Sequence, residues 1–229
     1  MTEAWIYTLA PAILAVIASW VAVRFRPGPL TISAIQHFAA GVVFAAAAGE
    51  ILPDIKHQGS AIATLVGGSA GVAVMLLVKQ IEGYIKGPAG LLTTIGIDIL
   101  IDGLVLGIAF AAGAKAGLLL TVALSLEVVF LGLALTTELT TSGWTRRRTV
   151  AVTAGLMVLM PLGAVLATPV AALSAPVVTG FLAFGLVALL YLVTEELLVE
   201  AHETPDRPWV AAMFFVGFLL LLLLEEMIG

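Results

Sequence analysis

Apolar residues in this chain run on in long blocks, and short polar breaks separate the blocks. The blocks fall at residues 4–23, 30–52, 61–80, 90–112, 116–138, 149–169, 177–200 and 208–227. Each is about the 20 residues that a helix needs to cross a bilayer. Backbone polar groups inside lipid must pair within their own segment, so each block is expected to be an α-helix. The breaks have turn chemistry. "RFRPGP" follows the first block, "GAKAG" makes a tight turn after the fourth, "TSGWTRRR" follows the fifth, and "AHETPDRP" follows the seventh. Gly and Pro mark nearly all of them. No break is long enough for a soluble domain. Residues 1–229 therefore read as one all-α, eight-span membrane domain.

Composition agrees with that pattern. The chain is 61% hydrophobic and only 11% charged, and its mean hydropathy is +1.16. Soluble domains carry about a quarter charged residues. There is no cysteine, so disulfides and thiolate metal sites are excluded. A net charge of −5 argues against a nucleic-acid partner. No separate signal peptide stands out, and the short loops point to a prokaryotic inner membrane as the location.

The basic residues orient the spans. If the N-terminus is outside, the inner loops hold Arg24, Arg26, Lys79, Lys86, Arg146, Arg147, Arg148 and Arg207. The outer loops then hold only Lys56 and Lys115. The positive-inside rule thus predicts that both termini lie outside.

Against this background the acids are out of place. A charge at the bilayer centre costs roughly 2.5 to 3.5 kcal/mol on insertion scales. Asp98 and Asp102 lie near mid-depth of the fourth span, one turn apart on one face. Glu127 lies about halfway along the fifth, and the tight turn predicts that the two spans pack as an antiparallel pair. No Lys or Arg lies in the cores of these spans. Two readings follow. The acids are protonated or hydrogen-bonded to a neighbouring helix, or a mobile cation bridges them.

Other acids extend the series. Glu50 and Asp54 share a face at the outer end of the second span. Glu195, Glu196, Glu200 and His202 lie progressively further in along the seventh, with Glu196 and Glu200 on one face. Glu138 ends the fifth span at nearly the angle of Glu127. Read from outside to inside, these residues make the stations of a cation pathway. Asp54, Glu138 and Glu200 also fit a plainer role as helix ends in the headgroup region. His37 sits in the inner half of the second span, at an angle well away from Glu50, where it lines an exit or serves packing. Glu225 and Glu226 close the last span and are expected to solvate it. The small-residue runs "AAGVVFAAAAG" and "VGGSAGVA" are expected to serve close helix packing.

Four stretches together resemble the ZIP family of divalent-metal transporters, most closely its bacterial GufA-like branch. "FAAGVVFAAAAGEILPD" is similar to the family's second span. "DILIDGLVLG" resembles the fourth-span pattern His-Asn-x-x-Asp/Glu-Gly, and "EVVFLGLAL" the fifth-span pattern His-Glu-x-Pro-Glu-Gly-Leu-Ala. "YLVTEELLVEAH" resembles the branch's seventh span, with its run of polar ligands and a closing His. The resemblance covers the whole chain. It implies spans one to three and six to eight related by inverted symmetry around spans four and five, and a homodimer.

The departures from the family carry chemical consequences. Asp98 takes the place of the fourth-span His and Ile99 that of the Asn, while Asp102 and Gly103 keep theirs. Glu127 takes the fifth-span His or Gln place. Val128, Phe130 and Leu131 replace an acid or polar ligand, the Pro and the second Glu. Met160, before Pro161, stands where the branch can place a Glu. Of the family's two metal sites, one is expected to be lost. The other is expected to keep Asp98 and Glu127, with Asp102, Glu50 and Glu196 as further members. A carboxylate site without imidazole shifts preference toward harder ions such as Mn²⁺, Mg²⁺ or Ca²⁺, with Zn²⁺ and Fe²⁺ still accepted.

The expected function is transport of a divalent cation into the cytoplasm by alternating access, with coupling to protons as a further hypothesis. The metal is cargo, and no cofactor is expected. Two alternatives stand beside it. A non-transporting ZIP-like sensor, or a carrier of another substrate, is motivated by Val128 and Leu131. An intramembrane hydrolase is motivated by the Glu195–Glu196 pair with His202 nearby. It lacks the Arg and the additional His residues such enzymes use, so the chain is expected not to be an enzyme.

Overall fold

The computed structural model describes residues 4–25, 27–58, 60–85, 87–205 and 207–228. Arg26 and Lys86, counted above among the basic loop residues, lie outside the described residues. Eight helices are long and apolar enough to cross a membrane: α1 Ala4–Phe25, α2 Pro29–His57, α3 Ala61–Ile81, α4 Pro88–Ala112, α5 Ala114–Thr141, α6 Arg146–Ala172, α7 Ala175–Ala201 and α8 Pro208–Ile228. Among the described residues there is no strand. The chain thus has the architecture of a multi-pass membrane protein. An even number of crossings brings both described ends to one side of the bundle, here called the terminal end.

The sequence sets most of the helix boundaries. Pro29, Pro88 and Pro208 open their helices, where a missing N–H costs nothing. Gly87, at φ 75°, and Gly143, at φ 86°, take the left-handed turns before α4 and after α5. A single residue, Gly113, separates α4 from α5, which makes them the antiparallel pair expected from the tight turn.

Two departures share one cause. α2 was expected to stop near residue 52, ahead of Pro53. Instead it continues beyond Pro53, through a π-helical segment at Ala47–Ile51. The wider π turn lets the chain pass a proline that would break a regular α-helix. α7 carries a second π segment, Leu192–Leu197. Its wider turn shifts the angular register of the residues beyond it relative to a regular α-helix.

α2, α4 and α5 form the centre: 61%, 61% and 67% of their apolar windows are buried, against 17% for α3 and 11% for α8. Around them the helices pack in four intimate pairs, α1 with α5, α4 with α6, α2 with α8, and α3 with α7. Small residues let the backbones touch. A Cβ at Gly103 would lie 2.0 Å from the Met160 carbonyl oxygen, and one at Gly163 2.2 Å from that of Leu100. Gly41 and Gly67, in the runs assigned to packing, meet Phe214 and Gly180 just as closely. Hydroxyls add a polar tie. Ser19 of α1 bonds Thr136 of α5 at 2.6 Å and donates to Thr153 of α6 at 3.3 Å.

Candidate functional site

α4 and α5 carry the central acids into the most buried layer of the bundle. Asp98, Asp102 and Glu127 are 7%, 4% and 3% exposed, so they lie inside the protein and not against lipid. Asp102 and Glu127 are hydrogen-bonded side chain to side chain across the α4–α5 interface. An ionised carboxylate can only accept, so this bond needs a proton on one partner. Asp98 acts electrostatically on Glu127, and Glu196 of α7 acts on both Glu127 and Asp102. Four acids from three helices thus share one field.

The nearby hydroxyls do not quench it. Thr121 donates to the Gly117 carbonyl and Ser125 to that of Thr121, each at 2.7 Å within α5. Glu127 Oε2 and Thr94 Oγ1, the latter one turn before Asp98, are buried without a hydrogen-bond partner. An orphaned buried acceptor costs about 1–3 kcal/mol, which a ligand would recover. The donors are oxygens and suit a hard cation or a proton. Among the described residues, no group of three or more His, Asp or Glu is gathered closely enough to hold a metal ion. Ile99, Val128 and Met160 are fully buried.

Glu50 belongs to a different cluster. It sits in the π segment of α2, half-buried, and is hydrogen-bonded to Glu225 near the end of α8. Lys115, at the start of α5, reaches Glu225 at 3.7 Å. Asp54 is half-buried on the α2 turn beyond and adds its charge. This corrects the expectation that Glu225 merely solvates the last span, although Glu226 is exposed as expected. Nothing in the one-dimensional pattern pairs residue 50 with residue 225. The only signal available was a lone Lys115 opposite two acidic helix ends.

The opposite end of α2 meets α7. His37 is buried, and its Nδ1 lies 2.9 Å from the Ser33 carbonyl. The His202 ring packs edge-on to it, with centroids 5.1 Å apart, and His202 Nδ1 is held by the Leu198 carbonyl. Gln36 Nε2 donates to Glu200 at 2.9 Å, and Ser33 Oγ to the Ala201 carbonyl at 2.9 Å. Residues His37, Glu200 and His202 are therefore brought together, as neighbours of an α2–α7 seam. Glu195 and Glu138 are exposed and join none of the three groups.

No protein-family model matches the chain, and no curated protein matches it either.

Proposed function

We propose that this protein is a ZIP-like membrane carrier that moves a divalent cation into the cytoplasm through the carboxyl cluster of α4 and α5. The observation that carries the reading is the Asp102–Glu127 hydrogen bond, buried beside Asp98 with an orphaned Glu127 oxygen. Neither α4 nor the part of α5 facing it carries a Lys or Arg that could balance the acids. A proton shared by the pair would balance their repulsion, and a cation with its own charge would take the proton's place. Cation entry and proton release are then one exchange.

The helix pairing supports the motion. α1 on α5 is mirrored by α6 on α4, and α2 on α8 by α7 on α3. An inverted repeat gives that correspondence, and one arm rocking against the other would expose the acids to each side in turn. The bias of basic residues toward the end away from the termini supports an orientation with both termini outside. Glu50 with Glu225 then stands at the entrance, and His37 with His202 at the exit. Uptake of Mn²⁺, Zn²⁺, Fe²⁺, Mg²⁺ and Ca²⁺ into proteoliposomes tests the proposal. Absence of uptake and of binding for every ion would refute it.

A second reading is a ZIP-like sensor or carrier of another substrate. What favours it is that no three ligands are gathered around one point among the described residues. Cation binding without uptake would select it.

A further inference from the structure

A groove of about 440 Å³ opens on the bundle surface between α1 and α6, at the end away from the termini. Its rim is basic: Arg24 closes α1, and Arg146 and Arg147 open α6. Its wall is apolar, with Trp20, Val150 and Ala154 among the lining residues. Trp20 is 56% exposed, a large apolar side chain left uncovered at the groove.

The arginines are in an unfavourable arrangement as they stand. Three cations, Arg146, Arg147 and Arg148, sit in the first turn of α6, where the helix dipole already presents positive charge. No acidic residue occupies that turn. Arg148 is engaged elsewhere, stacked over the Trp144 ring at 3.8 Å. Among the described residues, no carboxylate pairs with Arg24, Arg146 or Arg147. Three guanidinium groups, none paired with a carboxylate among the described residues, thus line one groove with a hydrocarbon wall. One anion could satisfy all of them.

We infer that this groove binds an anionic phospholipid. The headgroup phosphate accepts from Arg24, Arg146 and Arg147, and one acyl chain lies along Trp20, Val150 and Ala154. A free phosphate would meet the charges but leave the apolar wall bare. A zwitterionic lipid would fill the wall but bring its own cation to the arginines. The position also has a structural meaning. α1 packs on α5 and α6 on α4, so a lipid bridging α1 and α6 ties the two arms that carry the central acids.

The test uses the full chain, delipidated in neutral detergent. Phosphatidylglycerol, phosphatidylcholine and inorganic phosphate are compared by thermal unfolding and by native mass spectrometry. Phosphatidylglycerol is expected to raise the midpoint by about 5 °C when well above its Kd, and to leave one retained lipid. Phosphatidylcholine and inorganic phosphate are expected to do neither. The combined Arg24→Gln, Arg146→Gln and Arg147→Gln variant should lose the shift, while Arg207→Gln, a basic residue outside the groove, should keep it. If the triple variant does not fold, a photoactivatable phosphatidylglycerol on the unaltered protein gives the answer. Crosslinks are expected within residues 20–24 and 146–154. Equal stabilisation by phosphatidylcholine or by phosphate, a triple variant that still responds, or crosslinks elsewhere would overturn the assignment.

Discussion

Asp102 on α4 and Glu127 on α5 are joined by a hydrogen bond between two carboxyl groups, in a layer where both are nearly inaccessible. The bond is possible because Gly113 alone connects the two helices and folds one straight back on the other. Replacing either acid by its amide keeps the shape and removes the exchangeable proton. Glu127→Gln and Asp102→Asn are each expected to reduce cation uptake at least tenfold while changing stability by about 1 kcal/mol or less. Proteoliposome uptake beside thermal unfolding separates the two effects. Wild-type uptake in both variants would remove these residues from the pathway.

On the proposed exchange, a proton held between the carboxyl groups leaves when a cation arrives. Binding should therefore strengthen as pH rises, because the competing proton is withdrawn, and should weaken as pH falls. Calorimetry in buffers of different ionisation enthalpy should show protons released on binding. Glu127→Gln should abolish that release. A binding enthalpy independent of the buffer would mean that the bridging proton stays in place.

Much of this was legible along the chain. Long apolar blocks fixed eight spans within a few residues, because lipid leaves the backbone no option but the helix. Asp98, Asp102 and Glu127 were found together because a tight turn dictates antiparallel packing. Residues whose partners come from distant helices were not legible. Glu225 meets Glu50 only because α8 packs on α2, and His37 meets His202 only because α2 crosses α7. The π segments were hidden too, since their looser winding is an outcome of tertiary packing and leaves no periodic mark. Glu196 acts on the central acids while Glu200 accepts from Gln36, and neither partner is marked in the sequence.

The Glu50–Glu225 cluster makes a prediction about charge. Lys115 reaches Glu225 at 3.7 Å, but the two side chains are 43% and 28% exposed. Screening limits such a pair to about 0–1 kcal/mol. Lys115→Gln should lower stability by no more than about that amount, and the difference should shrink as salt is raised. Lys115→Glu should do more harm, since it sets a third acid beside Glu50 and Glu225. A loss of several kcal/mol from the Gln variant would show that Lys115 has a buried role.

A close backbone contact between α4 and α6 predicts which glycines tolerate a side chain. At Gly103 a Cβ would stand 2.0 Å from the carbonyl oxygen of Met160, and backbone cannot swing aside as a side chain can. Gly103→Ala must push α6 off α4, which also loosens the support behind Asp102. A cost of about 1–3 kcal/mol or more is expected from overpacking, together with reduced uptake. Gly155 lies on the same α6 helix, with nothing within 4 Å of its Cβ position. Gly155→Ala should be neutral or stabilising by about 0.5–1 kcal/mol, because alanine loses less backbone entropy in a helix. Thermal unfolding of the two variants side by side decides the matter. Equal effects would mean that the α4–α6 contact yields freely, and a rigid support for the central acids would then have to come from α2 and α5 alone.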